Sequence, residues 1–160
     1  MSEEEIKHFY NVYVLGKDTP NKLKLSQIFG KKVARDGNSE RIEYKEKHTI
    51  RNVPEGKEDE ITKEEKANEN IFFYVYNVDD RETFEKFEKI HEKLNGKFIF
   101  QASFVLYGIN RNIEHERSVS QEELIQTAFK NESSYFELQE FNIFTEKILE
   151  IAPNFIFPEK

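Results

Sequence analysis

The chain has 160 residues, 24 Lys and Arg against 31 Asp and Glu, a formal net charge of −7 and no cysteine. That length is one domain with room for a real core; the charge argues against a nucleic-acid surface, and the missing cysteines exclude disulfides, thiolate metal sites, a cysteine nucleophile and a prenyl anchor. No apolar run approaches the roughly 20 residues of a membrane span, and the acidic start Ser2-Glu3-Glu4-Glu5 is unlike a signal or transit peptide, so a soluble, intracellular, cytoplasmic protein is expected.

Fifteen Phe and seven Tyr predict an aromatic-rich core. Residues 10–15 are apolar on both faces, with Val12 and Val14 on one and Tyr13 and Leu15 on the other, which suits a strand covered by helices on each side. The turn Gly16-Lys17-Asp18-Thr19-Pro20-Asn21-Lys22-Leu23 leads into a helix over residues 22–28, with Leu25 and Ile28 inward and Gly30 as its stop. Residues 34–70 are strongly charged. Within them, residues 41–50 alternate and fit an edge strand, while residues 54–70 read as a mobile, solvated loop with at most one short polar helix, carrying the run Lys57-Glu58-Asp59-Glu60.

The second half is more regular. Residues 71–78 form a buried-strand run, after which Asp79 and Asp80 cap a helix with Phe84, Phe87, Ile90, His91 and Leu94 on one face and Gly96 at its end. The apolar patch 98–100 precedes a strand over residues 102–107. Ser120 and Glu123 form a capping-box pair for a helix carrying Leu124, Ile125, Ala128 and Phe129. Residues 135–138 make a short strand, and Phe144, Ile148 and Ile151 give the last helix its inner stripe before Pro153. Strand and helix alternate throughout, which predicts an α/β doubly wound sheet.

The first turn has the frame of a phosphate-binding loop without its chemistry. A P-loop has glycine, four residues, glycine, lysine, then serine or threonine. Gly16 and Lys22 keep their spacing, but Asn21 stands in place of the second glycine and Leu23 in place of the hydroxyl residue. Asn21 lacks the conformational freedom of glycine, Leu23 offers no oxygen to Mg²⁺, and Pro20 removes an N–H donor. Lys22 at a helix start also has a plainer reading, as an ordinary exposed lysine.

Over nearly its whole length the chain resembles a Ras- or Rab-type small GTPase. The closest stretch, FYVYNVDDRETFEKF at residues 73–87, is similar to the fourth strand and third helix of Rab proteins (VYDVTDRESF). Ser118-Val119-Ser120-Gln121-Glu122-Glu123 is similar to the RxVSxEE segment before the following helix, and Tyr135-Phe136-Glu137 to the FFE(T/V)SA strand. The resemblance implies a three-layer, P-loop or G-domain-like, mostly parallel sheet with helices on both faces, spanning residues 1–152. Residues 34–70 would then be its switch-like region and residues 153–160 an apolar tail.

Carried across residue by residue, the family's functional motifs fail. The DxxG segment has only Asn52-Val53-Pro54-Glu55 as a candidate, without the acid and with Gly56 one residue late. The guanine-reading NKxD falls on Ile109, Asn110, Arg111 and Asn112, where an amide replaces the aspartate that accepts two guanine N–H bonds. The SAK segment becomes Leu138-Gln139-Glu140. Each lost charge-assisted contact costs about 1.5–3 kcal/mol, and phosphoryl transfer depends on such contacts together. The resemblance with these departures implies a pseudo-GTPase: no catalytic residue, no cofactor, no metal, and a structural or adaptor role through other proteins in a larger assembly. Phe155, Ile156 and Phe157, between two prolines, are candidate docking residues, with folding back onto their own domain the plain alternative. A divergent GTPase binding GDP or GTP with Mg²⁺ weakly, and a receiver or flavodoxin-like domain, are the alternative readings.

No other constellation carries chemistry. His8, His48, His91 and His115 have no metal-ligand spacing, and His91 sits beside an apolar helix face as a core-edge residue. Ser103, Ser133 and Ser134 have no paired base.

Overall fold

The computed structural model describes residues 6–36, 45–61, 69–97, 102–111 and 117–145. Its strands are β1 (Ile6–Gly16), β2 (Lys45–Asn52), β3 (Glu69–Asn77), β4 (Ala102–Asn110) and β5 (Ser134–Gln139). Its helices are α1 (Pro20–Asp36), α2 (Arg81–Glu85), α3 (Phe87–Lys97), α4 (Gln121–Lys130) and α5 (Glu140–Phe144), with a 3₁₀ turn at Glu58–Glu60. The strands form one sheet in the order β2-β1-β3-β4-β5, every described pairing parallel.

Alternation along the strands builds two cores. Tyr13, Leu15, Phe72, Tyr74, Tyr76, Phe104 and Leu106 face α2, α3 and α4, where they meet Phe84, Phe87, Leu94, Leu124 and Ala128. Val12, Val14, Phe73, Val75, Val105, Tyr107 and Ile109 face the other way, onto Leu25, Ile28 and Ile143 from α1 and α5. The expected three-layer α/β architecture is therefore present, and its core is aromatic: Tyr13, Phe72 and Phe104 stack across three adjacent strands at ring separations of 5.1 and 5.0 Å.

Several element boundaries differ from the sequence reading. α1 passes through Gly30 and ends at Asp36; one glycine costs a helix only about 1 kcal/mol relative to alanine, and burying Leu25 and Ile28 offsets that. The helix expected after Asp79 and Asp80 is two helices, because Lys86 turns back to the Thr83 carbonyl (3.2 Å) between them. Asp80 caps α2 through Thr83 N (3.1 Å), whereas Asp79 pairs with Arg111 at 2.9 Å. Gly96 lies inside α3, which ends at Lys97. On α5 the inward residue is Ile143 and Phe144 is exposed, since the helix begins directly at the end of β5 and the core falls one position earlier. The capping box of Ser120 and Glu123 is present, with Leu124 and Ala128 inward and Ile125 and Phe129 exposed.

Residues 54–60 are mostly exposed, as a solvated loop would be, with one short 3₁₀ turn, but the segment is tied down at several points. Val53, Glu58 and Ile61 are buried, and Lys97 Nζ of α3 donates to the carbonyls of Asp59 (3.1 Å) and Ile61 (2.8 Å). The patch 98–100, His115, Ile148, Ile151 and the tail lie outside the described residues, as do the side chains of His8 and His48. No described helix is long and apolar enough to cross a membrane.

Candidate functional site

In a doubly wound parallel sheet, ligands bind beyond the carboxyl ends of the strands, where the strand order reverses. Here α1 carries the chain from β1 to one neighbour, β2, while β3 lies on the other side, so the switch point lies at the end of β1, where Gly16 pairs with Val75 of β3. The turn with the P-loop frame sits at that point.

Its helix terminus is partly capped from within. Thr19 caps α1: its hydroxyl accepts from the N–H of Lys22 at 3.2 Å and its carbonyl from the N–H of Leu23 at 3.1 Å. Pro20, first residue of the helix, brings no N–H of its own. A helix N-terminus attracts phosphate through free N–H groups, and one of those, on Lys22, is already committed to the Thr19 hydroxyl.

Lys22 is 1% exposed, which corrects its reading as an ordinary surface lysine. Two acceptors draw it inward. Its Nζ donates to Asp18 Oδ1 at 2.8 Å and to the Val53 carbonyl just past the end of β2. Asp18 in turn accepts from the backbone N–H of Glu55, both oxygens at 3.1 Å. The Lys22 ammonium holds the Asp18 carboxyl below the usual carboxylate range, opposed by burial and helped by the Glu55 N–H.

Asn21, 3% exposed, closes the other side. Its Nδ2 donates to Asn77 Oδ1 (3.0 Å) at the end of β3 and to Glu140 Oε2 (3.1 Å) at the start of α5. Its Oδ1 is buried with no partner among the described residues. Both neighbours of Nδ2 are acceptors, so a flipped amide would set oxygen against oxygen. Leu23 points outward, 51% exposed.

At the positions aligned with guanine recognition, Ile109 is buried in the α1–α5 core and its carbonyl accepts from Val78 N at 2.9 Å. Asn110 ends β4 in register with Gln139, and Arg111 pairs with Asp79. Asn112 lies outside the described residues, as do Phe155, Ile156 and Phe157. Asn52, at the DxxG acid position, is exposed, and no group of three potential metal ligands occurs among the described residues. A cavity of about 340 Å³ opens between the turn at Gly16 and Lys17, the loop at Glu55 and Glu58, and the α2–α3 side at Tyr74 and Lys86.

The structure thus joins Gly16, Asn21 and Lys22 to two residues that motif reading passed over or misjudged. Asp18 appears in the sequence only as a negative charge inside the loop, although its spacing of four from Lys22 permits the pair. Asn77 carries no local signal, being 56 positions from Asn21. None of the curated proteins matches the chain. The sequence profile of the Ras family matches residues 55–146, from the loop after β2 to the last helix and over more than half of the chain, leaving the phosphate-loop turn outside the match. The chain belongs to the Ras family.

Proposed function

We propose that this Ras-family chain is a pseudo-GTPase, a non-catalytic structural or adaptor subunit that works through protein–protein contact. The observation that carries this reading is the environment of Lys22. The one phosphate-binding side chain kept at its motif position faces into the protein and is bonded to Asp18 and the Val53 carbonyl. A nucleotide phosphate would have to displace a carboxylate already in contact with it.

The surrounding donor set fits Mg²⁺–GTP no better. Leu23 has no oxygen, Asn52 presents an amide in place of an acid, and Glu140 adds a carboxylate beside Asn21. Asn21 spans the turn, β3 and α5 with hydrogen bonds where the family frame has a glycine.

A working small GTPase orders its switch loops through γ-phosphate contacts and releases them on hydrolysis. Here the loop after β2 is held from two sides by the chain itself: by Asp18 at Glu55, and by Lys93 and Lys97 of α3 at Asp59 and Ile61. Such a loop presents one surface regardless of nucleotide. Exposed apolar groups on α4 and β5, Phe129 (87% exposed), Ile125 one turn before it, and Tyr135, give a protein partner material of the kind interfaces use.

The test is titration calorimetry of the purified full chain with GDP and GTP, with and without Mg²⁺, alongside chromatography of any nucleotide released on denaturation. A folded sample giving no heat and releasing no nucleotide is the expected result. Mg²⁺-dependent micromolar binding would replace this reading with that of a divergent GTPase.

A further inference from the structure

We propose that Asp18 is the resident anion of this site: its carboxylate takes the place of a phosphoryl group between Lys22 and the Glu55 N–H, and removing it uncovers a subsite for phosphate-type anions. The inference rests on the non-catalytic reading above and adds what fills the site.

The geometry is that of a bound oxyanion. Asp18 Oδ1 stands 2.8 Å from Lys22 Nζ, and both carboxylate oxygens lie 3.1 Å from Glu55 N. An ammonium on one side and a backbone N–H on the other, at the mouth of a helix, is the donor set that proteins offer to phosphate and sulfate.

Three features separate it from an ordinary surface ion pair. Lys22 is 1% exposed and also donates to the Val53 carbonyl, so its ammonium does not swing out to solvent. Asp18 immediately precedes Thr19, the cap of α1, so the carboxylate is positioned by backbone that is itself fixed. Glu55 is 37 positions from Asp18, so the contact ties two separate loops together. Without Asp18, Lys22 would keep a buried ammonium with only a neutral carbonyl, and the Glu55 N–H would lose its acceptor. A small anion with several oxygens satisfies both. The Asp18 side chain itself is 58% exposed, so its removal leaves an opening to solvent.

Titration calorimetry of the full chain with inorganic pyrophosphate, in metal-free buffer, compares wild type with Asp18→Ala and Asp18→Asn. Asp18→Ala is expected to bind pyrophosphate on the order of tenfold more tightly than wild type. Asp18→Asn, which keeps the volume without the charge, should gain less. The gain should disappear when Asp18→Ala is combined with Lys22→Met. A folded Asp18→Ala that binds pyrophosphate no better than wild type, or a gain that survives Lys22→Met, overturns the proposal. If Asp18→Ala does not fold, Asp18→Asn decides alone, with no gain counting against. Guanine-nucleotide binding by the wild type would sink the non-catalytic reading and leave this comparison among variants standing.

Discussion

Gly16 is the first glycine of the P-loop frame, and its surroundings give it a reason to be glycine that has nothing to do with phosphate. It ends β1 at φ +118° against Val75 of β3, and a Cβ there would stand 2.2 Å from the Val75 carbonyl oxygen. The nearest atom is backbone in the middle of a sheet, so relief requires the strands to part. Gly16→Ala combines a disfavoured dihedral with overpacking and is expected to cost about 3 kcal/mol of stability. Urea denaturation measures it, and a loss below about 1 kcal/mol would mean that the strand end yields easily. A motif search cannot separate a glycine kept for a ligand from one kept for a neighbouring strand. Asn21 shows the complement: the position that departs from the motif has acquired partners in β3 and α5.

At the scale of elements, α3 carries a pH-sensitive contact. The His91 ring lies 4.4 Å from Phe104 on β4 and 5.6 Å from Phe87, and burial pulls its pKa below the ordinary 6.5, opposed by a hydrogen bond to the Asn131 backbone and the charges of Glu88 and Glu132. The folded state therefore binds its proton less readily than the unfolded chain. Stability from this group is complete above about pH 6.5 and falls as the pH drops through that value toward the lowered native pKa. The slope is a fraction of the ~1.4 kcal/mol per pH unit that one full proton would give, because the ring is half-buried and solvent screens it. Comparing wild type with His91→Gln between about pH 7.5 and 5.5 isolates the effect, and parallel stability curves would refute it. His91 as a core-edge residue was legible from helical spacing alone, as were the two-faced β1 and the capping box of α4, because those signals are local. The lining of the turn was not. Lys22 turns inward partly because the fold brings the Val53 carbonyl to it across 31 positions, and Asn21 meets Glu140 across 119. Helix ends were misplaced for a related reason: propensity at Gly30 and Lys86 was decided by what each helix packs against.

For the whole molecule, the decisive property is that one sheet serves two cores. Val105 and Leu106 are consecutive on β4, both fully buried, yet Val105 belongs to the core under α1 and α5 and Leu106 to the core under α2, α3 and α4. Neither layer has a core that survives loss of the sheet, so the two should unfold as one cooperative unit. Leu106→Ala is expected to lose about 2–5 kcal/mol and Val105→Ala about 2 kcal/mol. The informative readout is where the loss appears. Native-state hydrogen exchange at the most protected amides of α1 and of α4 should fall by the same amount in each variant, whichever face was cut. If Val105→Ala loosened only α1 and Leu106→Ala only α4, the layers would be independent, and the internal bonds of the turn could open without disturbing the surface on α4. A single unit has the opposite consequence. Asn21 reaches β3 and α5, and Asp18 and Lys22 hold the loop after β2, so the closed turn is built into the same structure that fixes the exposed face carrying Phe129. The order of that surface is then coupled to the fold's own core.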